Sequence, residues 1–438
     1  MKASSHLEGP VKRALRVFFS RVMRVYFRDI EVTGAPPEAR TGGRIFVANH
    51  VNGLVDPVLV LTMCACPISP IAKSTLWNIP GLRWLLDSAG AVPIVRKRDN
   101  PGKSDKDNDA IFEKVAEHLG RGGNVLIFPE GTSHNEPKIL PLKSGAARML
   151  ARARASGATG LSFQAVGLEF DARDTFRSRV LVVYGPVRPL DELGLEGDAL
   201  VSAVVTKMRE DLDEVLVTAD SWEGRILTAR VATMFANDAG DASLEGWSAI
   251  GRRVEAARVL LENEDPAAVR AVKDAVREYY ARLAVAHTSD EIVSGAAKAT
   301  ARSRAHLALL PLAFVGVLLF IVPYRIPRAV AALAKGSPDV ASTYKLGAGL
   351  VAYPLWLALL VASALYFAPA PWSLALVALV IVTPFAALSW LDRQDRVRSL
   401  GQLPSREVME SLQKERAAVL ASLVAARDRV EGAAAKVG

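Results

Sequence analysis

No charged side chain interrupts the sequence between Lys345 and Asp392. Wound as one helix at ~1.5 Å per residue, that stretch would be roughly twice the apolar thickness of a bilayer, so it has to double back. Ala368-Pro369-Ala370-Pro371 is where it does so, because two prolines remove amide donors and disfavour helix. The expectation is a hairpin of two membrane spans, 346–367 and 372–391. The 438 residues are 50% apolar and 23% charged, which excludes a disordered chain, and the apolar excess sits mainly in this block. A membrane protein carrying a soluble part follows.

A shorter apolar run, 307–323, carries Pro311 and Gly316 and is followed at once by Pro323-Tyr324-Arg325-Ile326-Pro327. It is read as re-entrant, which keeps the basic loop with Arg325, Arg328, Lys335 and Lys345 on the side of the soluble part. Arg393, Arg396 and Arg398 behind the hairpin return to that same positive side. The stretch 11–28 holds Lys12, Arg13, Arg16, Arg21, Arg24 and Arg28 with no acid before Asp29, interleaved with Leu15, Phe18, Phe19, Val25 and Phe27. That pattern suits a helix lying on anionic lipid, or one packed on its own domain. Arginines interrupt every candidate apolar core, so it is not read as a cleaved signal peptide.

The segments read from the sequence are 1–29, the basic amphipathic helix; 30–216, an α/β domain; 217–304, a charged helical accessory segment; 305–391, the membrane region; and 392–438, an exposed amphipathic helical tail. Within the α/β domain, Arg44–Ala48, 91–95, 124–128, 163–168 and 179–184 read as strands, with helices at 107–119 and 143–155 between them. The accessory segment starts helices at Asp265-Pro266 and at the box-like Thr288-Ser-Asp-Glu291. Two cysteines, Cys64 and Cys66, are too few for a disulfide scaffold and lack zinc spacing, so they are read as buried thiols. No metal site is expected.

The formal charge of +8 points to anionic partners. Nucleic acid is not expected among them, because no aromatic-interleaved basic stripe or groove-reading motif occurs. Chemistry in an α/β domain gathers at strand ends. The first predicted strand runs into Asn49-His50-Val51-Asn52-Gly53-Leu54-Val55-Asp56-Pro57, where an imidazole that titrates near neutrality lies close to a carboxylate able to fix its tautomer. Gly90-Ala-Val-Pro93-Ile-Val-Arg96 ends another strand in a basic cluster with Lys97 and Arg98, whose guanidinium groups match phosphate geometry. Phe128-Pro129-Glu130-Gly131-Thr132-Ser133-His134 follows a third strand, and there Gly131 permits close backbone approach while Glu130 offers an acceptor for hydroxyls. Each of the three, taken alone, reads equally as a pair, a loop or a turn without chemistry.

Together, and in this order, these blocks resemble the glycerolipid acyltransferase family. Asn49-His50 through Asp56 is similar to its histidine–aspartate motif, Gly90 to Arg96 to its Gly-x-x-Pro-x-x-Arg block, and Phe128-Pro-Glu-Gly131 to its third. Ala165-Val166-Gly167-Leu168 is a looser fourth. Asn52, Asp56-Pro57, Gly131-Thr-Ser-His134 and Leu140-Pro-Leu-Lys143 resemble the branch acting on glycerol 3-phosphate or dihydroxyacetone phosphate, with lysophosphatidic acid as the alternative acceptor. The resemblance implies an α/β sheet domain with flanking helices, no cofactor, and an acyl thioester on coenzyme A or acyl-carrier protein as co-substrate. It implies His50 as general base oriented by Asp56. Asn52, Lys73, Gly90, Pro93, Arg96, Glu130, Gly131, Thr132 and Lys143 would then bind a phosphorylated glycerol acceptor, at the cytoplasmic face of the cell membrane.

Two departures matter. His50 and Asp56 have five residues between them where the family places four, and a regular helix would hold such side chains apart. The expected way out is Asp56 as helix cap and Pro57 as first helical residue, leaving His50 on the preceding loop. Ala165 stands where the family commonly has proline. A non-catalytic membrane-binding protein that has kept the fold is the competing reading.

Overall fold

The computed structural model describes residues 9–34, 42–95, 109–297 and 309–437, with side chains as far as residue 429. The chain divides into two compact units, the first comprising Met1–Thr218 together with Ser337–Thr343, the second Ala219–Gly336 and Tyr344–Gly438.

The first unit is built on a seven-stranded sheet. Its strands are β1 (Asp29–Thr33), β2 (Arg44–Ala48), β3 (Ser69–Lys73), β4 (Val92–Ile94), β5 (Asn124–Ile127), β6 (Ser162–Phe170) and β7 (Arg179–Pro189), arranged β1-β7-β6-β2-β5-β3-β4. Strands β6, β2, β5, β3 and β4 run parallel; only β6 and β7 pair antiparallel. Every residue of β2 is buried, as a strand covered on both faces requires. Helices α2 (Val55–Met63), α4 (Asp109–Gly120), α5 (Gly145–Ala155) and α6 (Gly197–Val215) flank the sheet. Val60 of α2 joins Phe46, Ala48, Leu126, Val166 and Val182 in one core, while α5 contributes Met149 and Leu150.

The α/β expectation holds, with two strands added. β1 is short, carries Asp29 and Glu31, and pairs only with β7, so its pattern is that of a blunted edge rather than a core strand. β3 contains Pro70, which reads from sequence as a strand breaker. The basic N-terminal stretch forms α1 (Pro10–Tyr26) and belongs to the first unit, with Met23 and Tyr26 buried and Arg16 donating to the Cys64 carbonyl at 3.3 Å. It is therefore no separate segment, although Val11, Phe18 and Val25 remain exposed at seven-residue spacing. Cys64 is buried and Cys66 partly so, both as free thiols.

The second unit holds α7 (Trp222–Ala239), α8 (Leu244–Glu264), α9 (Pro266–Val285), α10 (Asp290–Val293), α11 (Leu310–Leu333), most of α12 (Pro338–Phe367), α13 (Trp372–Leu400) and α14 (Arg406–Val437). Asp265 caps α9 through the Ala268 amide ahead of Pro266, as read. At the box-like site Ser289, not Thr288, is the cap, and its side chain makes no cap bond. The hairpin turns where the prolines place it, but its helices are longer than 346–367 and 372–391, extending to Pro338 and to Leu400. The run read as 307–323 does not end at Pro323. α11 carries that proline and Pro327 inside a 24-residue helix, and α11, α12 and α13 are each long and apolar enough to cross a membrane.

The C-terminal helix is not an exposed tail. Leu412, Val419 and Leu423 recur at helical spacing and close a core with Met234, Val276, Tyr279 and Leu283. Beside them Arg416 donates to Asp290 at 2.8 Å and to Asp238 at 2.6 Å, while Tyr279 and Asn237 each donate to Asp290 at 2.7 Å.

Candidate active site

In parallel α/β sheets, sites form beyond the carboxyl ends of the strands. Here the ends of β2, β5 and β3 lead to His50, Glu130 and Lys73. Asn49 fixes the exit of β2, its amide donating to the Leu168 carbonyl at 3.1 Å and accepting from the Leu168 amide at 2.8 Å. The next residue, His50, is thereby released from the sheet at a set point.

His50 Nδ1 lies 2.9 Å from Asp56 Oδ2. The extra residue between them is absorbed by an irregular loop, not by a helix. Helix α2 starts two residues earlier than expected, with Leu54 as cap, Val55 first and Asp56 inside the first turn. From there the carboxylate reaches back, and Oδ2 also accepts from the Val51 amide at 2.8 Å and the Asn52 amide at 2.7 Å. A carboxylate only accepts, so Nδ1 carries a proton, and in the neutral imidazole Nε2 is the nitrogen that keeps the lone pair. Nε2 has no hydrogen-bond partner among the described residues. The His50 side chain is 14% exposed and that of Asp56 fully buried. The imidazole stacks on Phe128 with ring centroids 4.1 Å apart.

The third block forms a second loop against the first. Glu130 Oε1 accepts from the His50 amide at 3.0 Å, Oε2 accepts from the Leu140 amide at 2.8 Å and from His134 Nε2, and the His134 amide donates to the His50 carbonyl at 3.1 Å. Glu130 is buried and both its oxygens accept from protein donors, which braces the histidine loop. Asn52 is fully buried; it donates to the Arg173 carbonyl at 2.8 Å and ties its loop to the segment after β6.

Gly131 adopts φ 75°, and a Cβ there would lie 2.3 Å from Lys143 Nζ, so the missing side chain lets the ammonium sit directly on the turn. Thr132 donates to the Ser133 carbonyl at 3.2 Å. Lys73 at the end of β3 pairs in register with Ile94, and Pro93 with Ala72. Gly90 takes the left-handed conformation that ends α3 (Leu82–Ala89). Arg96, Lys97 and Arg98 lie outside the described residues. No group of metal-ligating side chains occurs among the described residues.

Sequence reasoning missed Asn49, His134 and Arg173, and also Asp339, Ser342 and Thr343. Burial pulls the Arg173 guanidinium below its ordinary range, against the carboxylates of Asp174, Asp339 and Asp56. Asn49 and His134 stand inside motifs already singled out. Nothing local marks the other four.

A buried aspartate–histidine pair thus stands at the strand ends of a mixed α/β sheet. Residues 29–166 match the model of the Acyltransferase family. Over 80 residues, 18% of this chain, it is 42% identical to glycerol-3-phosphate O-acyltransferase 2 of Saccharomyces cerevisiae. Glycerol-3-phosphate O-acyltransferase 1 of the same yeast is 27% identical over 71% of this chain. The chain spans only 11% and 46% of those two relatives' lengths. A 1-acyl-sn-glycerol-3-phosphate acyltransferase of Borreliella burgdorferi is 26% identical over 43% of this chain and 73% of its own length.

Proposed function

We propose that the chain is a membrane-bound glycerolipid acyltransferase that moves a fatty acyl group from an acyl thioester to a hydroxyl of glycerol 3-phosphate or dihydroxyacetone phosphate. The observation that carries this reading is the 2.9 Å contact between His50 Nδ1 and Asp56 Oδ2, made despite the additional intervening residue.

In this mechanism His50 Nε2 takes the proton of the acceptor hydroxyl as its oxygen attacks the thioester carbon. The carbon–sulfur bond breaks, the ester bond forms, and His50 returns the proton to the departing thiolate. Asp56 holds the tautomer and stabilises the imidazolium, as in a hydrolase triad whose serine is replaced by the substrate's own oxygen. Arg96, Lys73 and Lys143 are the candidate phosphate contacts, and Lys143 is supported by its seat on the Gly131 turn. Glu130 and Asn52 act through the loop they brace. The thioester is carried on coenzyme A or on acyl-carrier protein.

Purified chain in detergent, given labelled glycerol 3-phosphate and a long-chain acyl-CoA, is expected to form labelled monoacylglycerol phosphate. His50→Ala should lower kcat by about 10²- to 10⁴-fold or more while circular dichroism stays unchanged. Retained turnover in the folded variant removes His50 from the mechanism. Lysophosphatidic acid is the second acceptor to test, favoured by the Borreliella relative, of which the chain covers 73%.

Anionic lipid is the proposed surface partner of α1, whose exposed Val11, Phe18 and Val25 alternate with exposed Arg13, Arg21 and Arg24. For the apolar helices the reading is a hairpin of α12 and α13, with α11 not crossing. Its support lies within the second unit: α14 packs into one core with α7 and α9, so the chain enters and leaves the apolar helices on one side and crosses an even number of times. α11 carries Arg325 and Arg328 and two internal prolines, Pro323 and Pro327, where α12 and α13 carry one each, Pro354 and Pro384. The basic residues flanking the helices favour the cytoplasmic face for that side.

A further inference from the structure

Ser337–Thr343 lies far along the chain from the catalytic motifs, yet it folds with the first unit. Its bonds fall on the two loops that carry the candidate chemistry and on the segment to which the first of them is tied. Thr343 Oγ1 accepts from the Leu54 amide at 2.9 Å, across 289 residues of sequence. Ser342, fully buried, donates to the Arg173 carbonyl at 2.9 Å, the same oxygen that receives the Asn52 side chain. Asp339, 6% exposed, accepts from the Ser133 hydroxyl at 2.5 Å and lies within electrostatic range of His50.

Gly53 records how close the approach is. It takes φ 46°, and a Cβ there would stand 2.4 Å from Thr343 Oγ1 and 3.0 Å from the Asp339 carbonyl. The His50 loop has no regular secondary structure between Asn49 and the start of α2. Its amides at Val51 and Asn52 are held by Asp56, and its amide at Leu54 by Thr343. Ser133 adjoins His134, whose amide holds the His50 carbonyl. One side of the imidazole's support is thus local and the other comes from this distant segment.

We propose that Ser337–Thr343 is a strap completing the active site, in which Thr343, Ser342 and Asp339 are positioning residues that hold the His50 and Glu130 loops in register for proton transfer. The proposal rests on the general-base reading of His50. A base misplaced by about 1 Å loses up to about a hundredfold in rate, so loops tethered at both ends serve catalysis beyond what they add to stability.

The test uses the full chain in detergent with Thr343→Val, which keeps shape but removes the accepting oxygen, Thr343→Ser, which restores it, and Ser342→Ala as an independent second tether. Two readouts are taken: hydrogen exchange over residues 50–56, and kcat and KM with glycerol 3-phosphate and a long-chain acyl-CoA. For Thr343→Val, exchange over 50–56 should rise about tenfold or more while that of β2 stays as in wild type. Its kcat should fall about tenfold to a hundredfold with KM for the acyl thioester unchanged, and Thr343→Ser should recover both. Ser342→Ala should shift both readouts in the same direction by a smaller factor. Wild-type exchange and kcat in Thr343→Val overturn the strap, as does an equal loss in Thr343→Ser accompanied by a lower unfolding temperature. Faster exchange in Thr343→Val, when wild type itself transfers no acyl group to any acceptor, overturns the general-base reading and leaves the strap standing.

Discussion

The side chains that define the site are few, and most of their bonds are to one another's backbones. Asp56 Oδ2 serves an imidazole and two amides at once. Asp56→Asn retains the shape but replaces a pure acceptor by a group with its own donors, so the imidazole loses the partner that fixes its tautomer. The expected result is a fall in kcat of about 10²- to 10⁴-fold with acyl-CoA KM little changed, read in the same acyl-transfer assay. Gly53→Ala meets the φ of 46° and the Thr343 hydroxyl together. It should cost about 1–3 kcal/mol of stability, visible as a lower thermal unfolding midpoint, and should raise exchange over 50–56. His50, Asp56 and the Glu130 turn were legible in the sequence because each stands in a short motif with a chemical reason behind it. The bonding partners of Glu130 and Asn52 were not, since the same acceptor and amide can face a substrate or a neighbouring loop.

At the level of elements, helices with strong local punctuation came out as read: Asp265-Pro266 opens α9, and the Ala-Pro-Ala-Pro stretch separates α12 from α13. Elements that depend on neighbours did not. β1 and β3 exist because β7 and β5 supply their ladder partners, although their own residues include acids and a proline. α14 looks exposed in isolation because Arg416 interrupts its apolar face, yet that arginine is buried against Asp290 and Asp238. Removing one member of such a buried pair strands the other's charge. Arg416→Met is therefore expected to destabilise the second unit by about 3–5 kcal/mol, measured by denaturant unfolding, whereas a surface pair such as Arg406 with Glu410 should change stability by less than about 1 kcal/mol when broken.

For the whole molecule the decisive property is the route of the chain through lipid. A membrane-impermeant thiol reagent, applied to oriented vesicles, is expected to reach a cysteine introduced at Pro369 from one side only and cysteines introduced at Lys335 or Gln402 from the other. Labelling of the Lys335 and Gln402 positions from opposite sides would mean that α11 crosses. A photoreactive side chain introduced at Phe18 should label lipid, while one at the fully buried Met23 should not.

The charge-free run, the proline hinge, the basic first helix and the three motif blocks are local facts, because hydropathy, imide geometry and residue chemistry act on neighbours along the chain. Those features determined that the protein meets a membrane, folds an α/β unit and carries a histidine–aspartate pair. Whether the pair touches, which groups Glu130 bonds, that α14 closes a core and that Ser337–Thr343 reaches the loops of His50 and Glu130 were decided by tertiary structure. Each depends on bringing together groups tens to hundreds of residues apart, and the free energy of such contacts lies in burial and hydrogen-bond geometry that no single stretch of sequence contains.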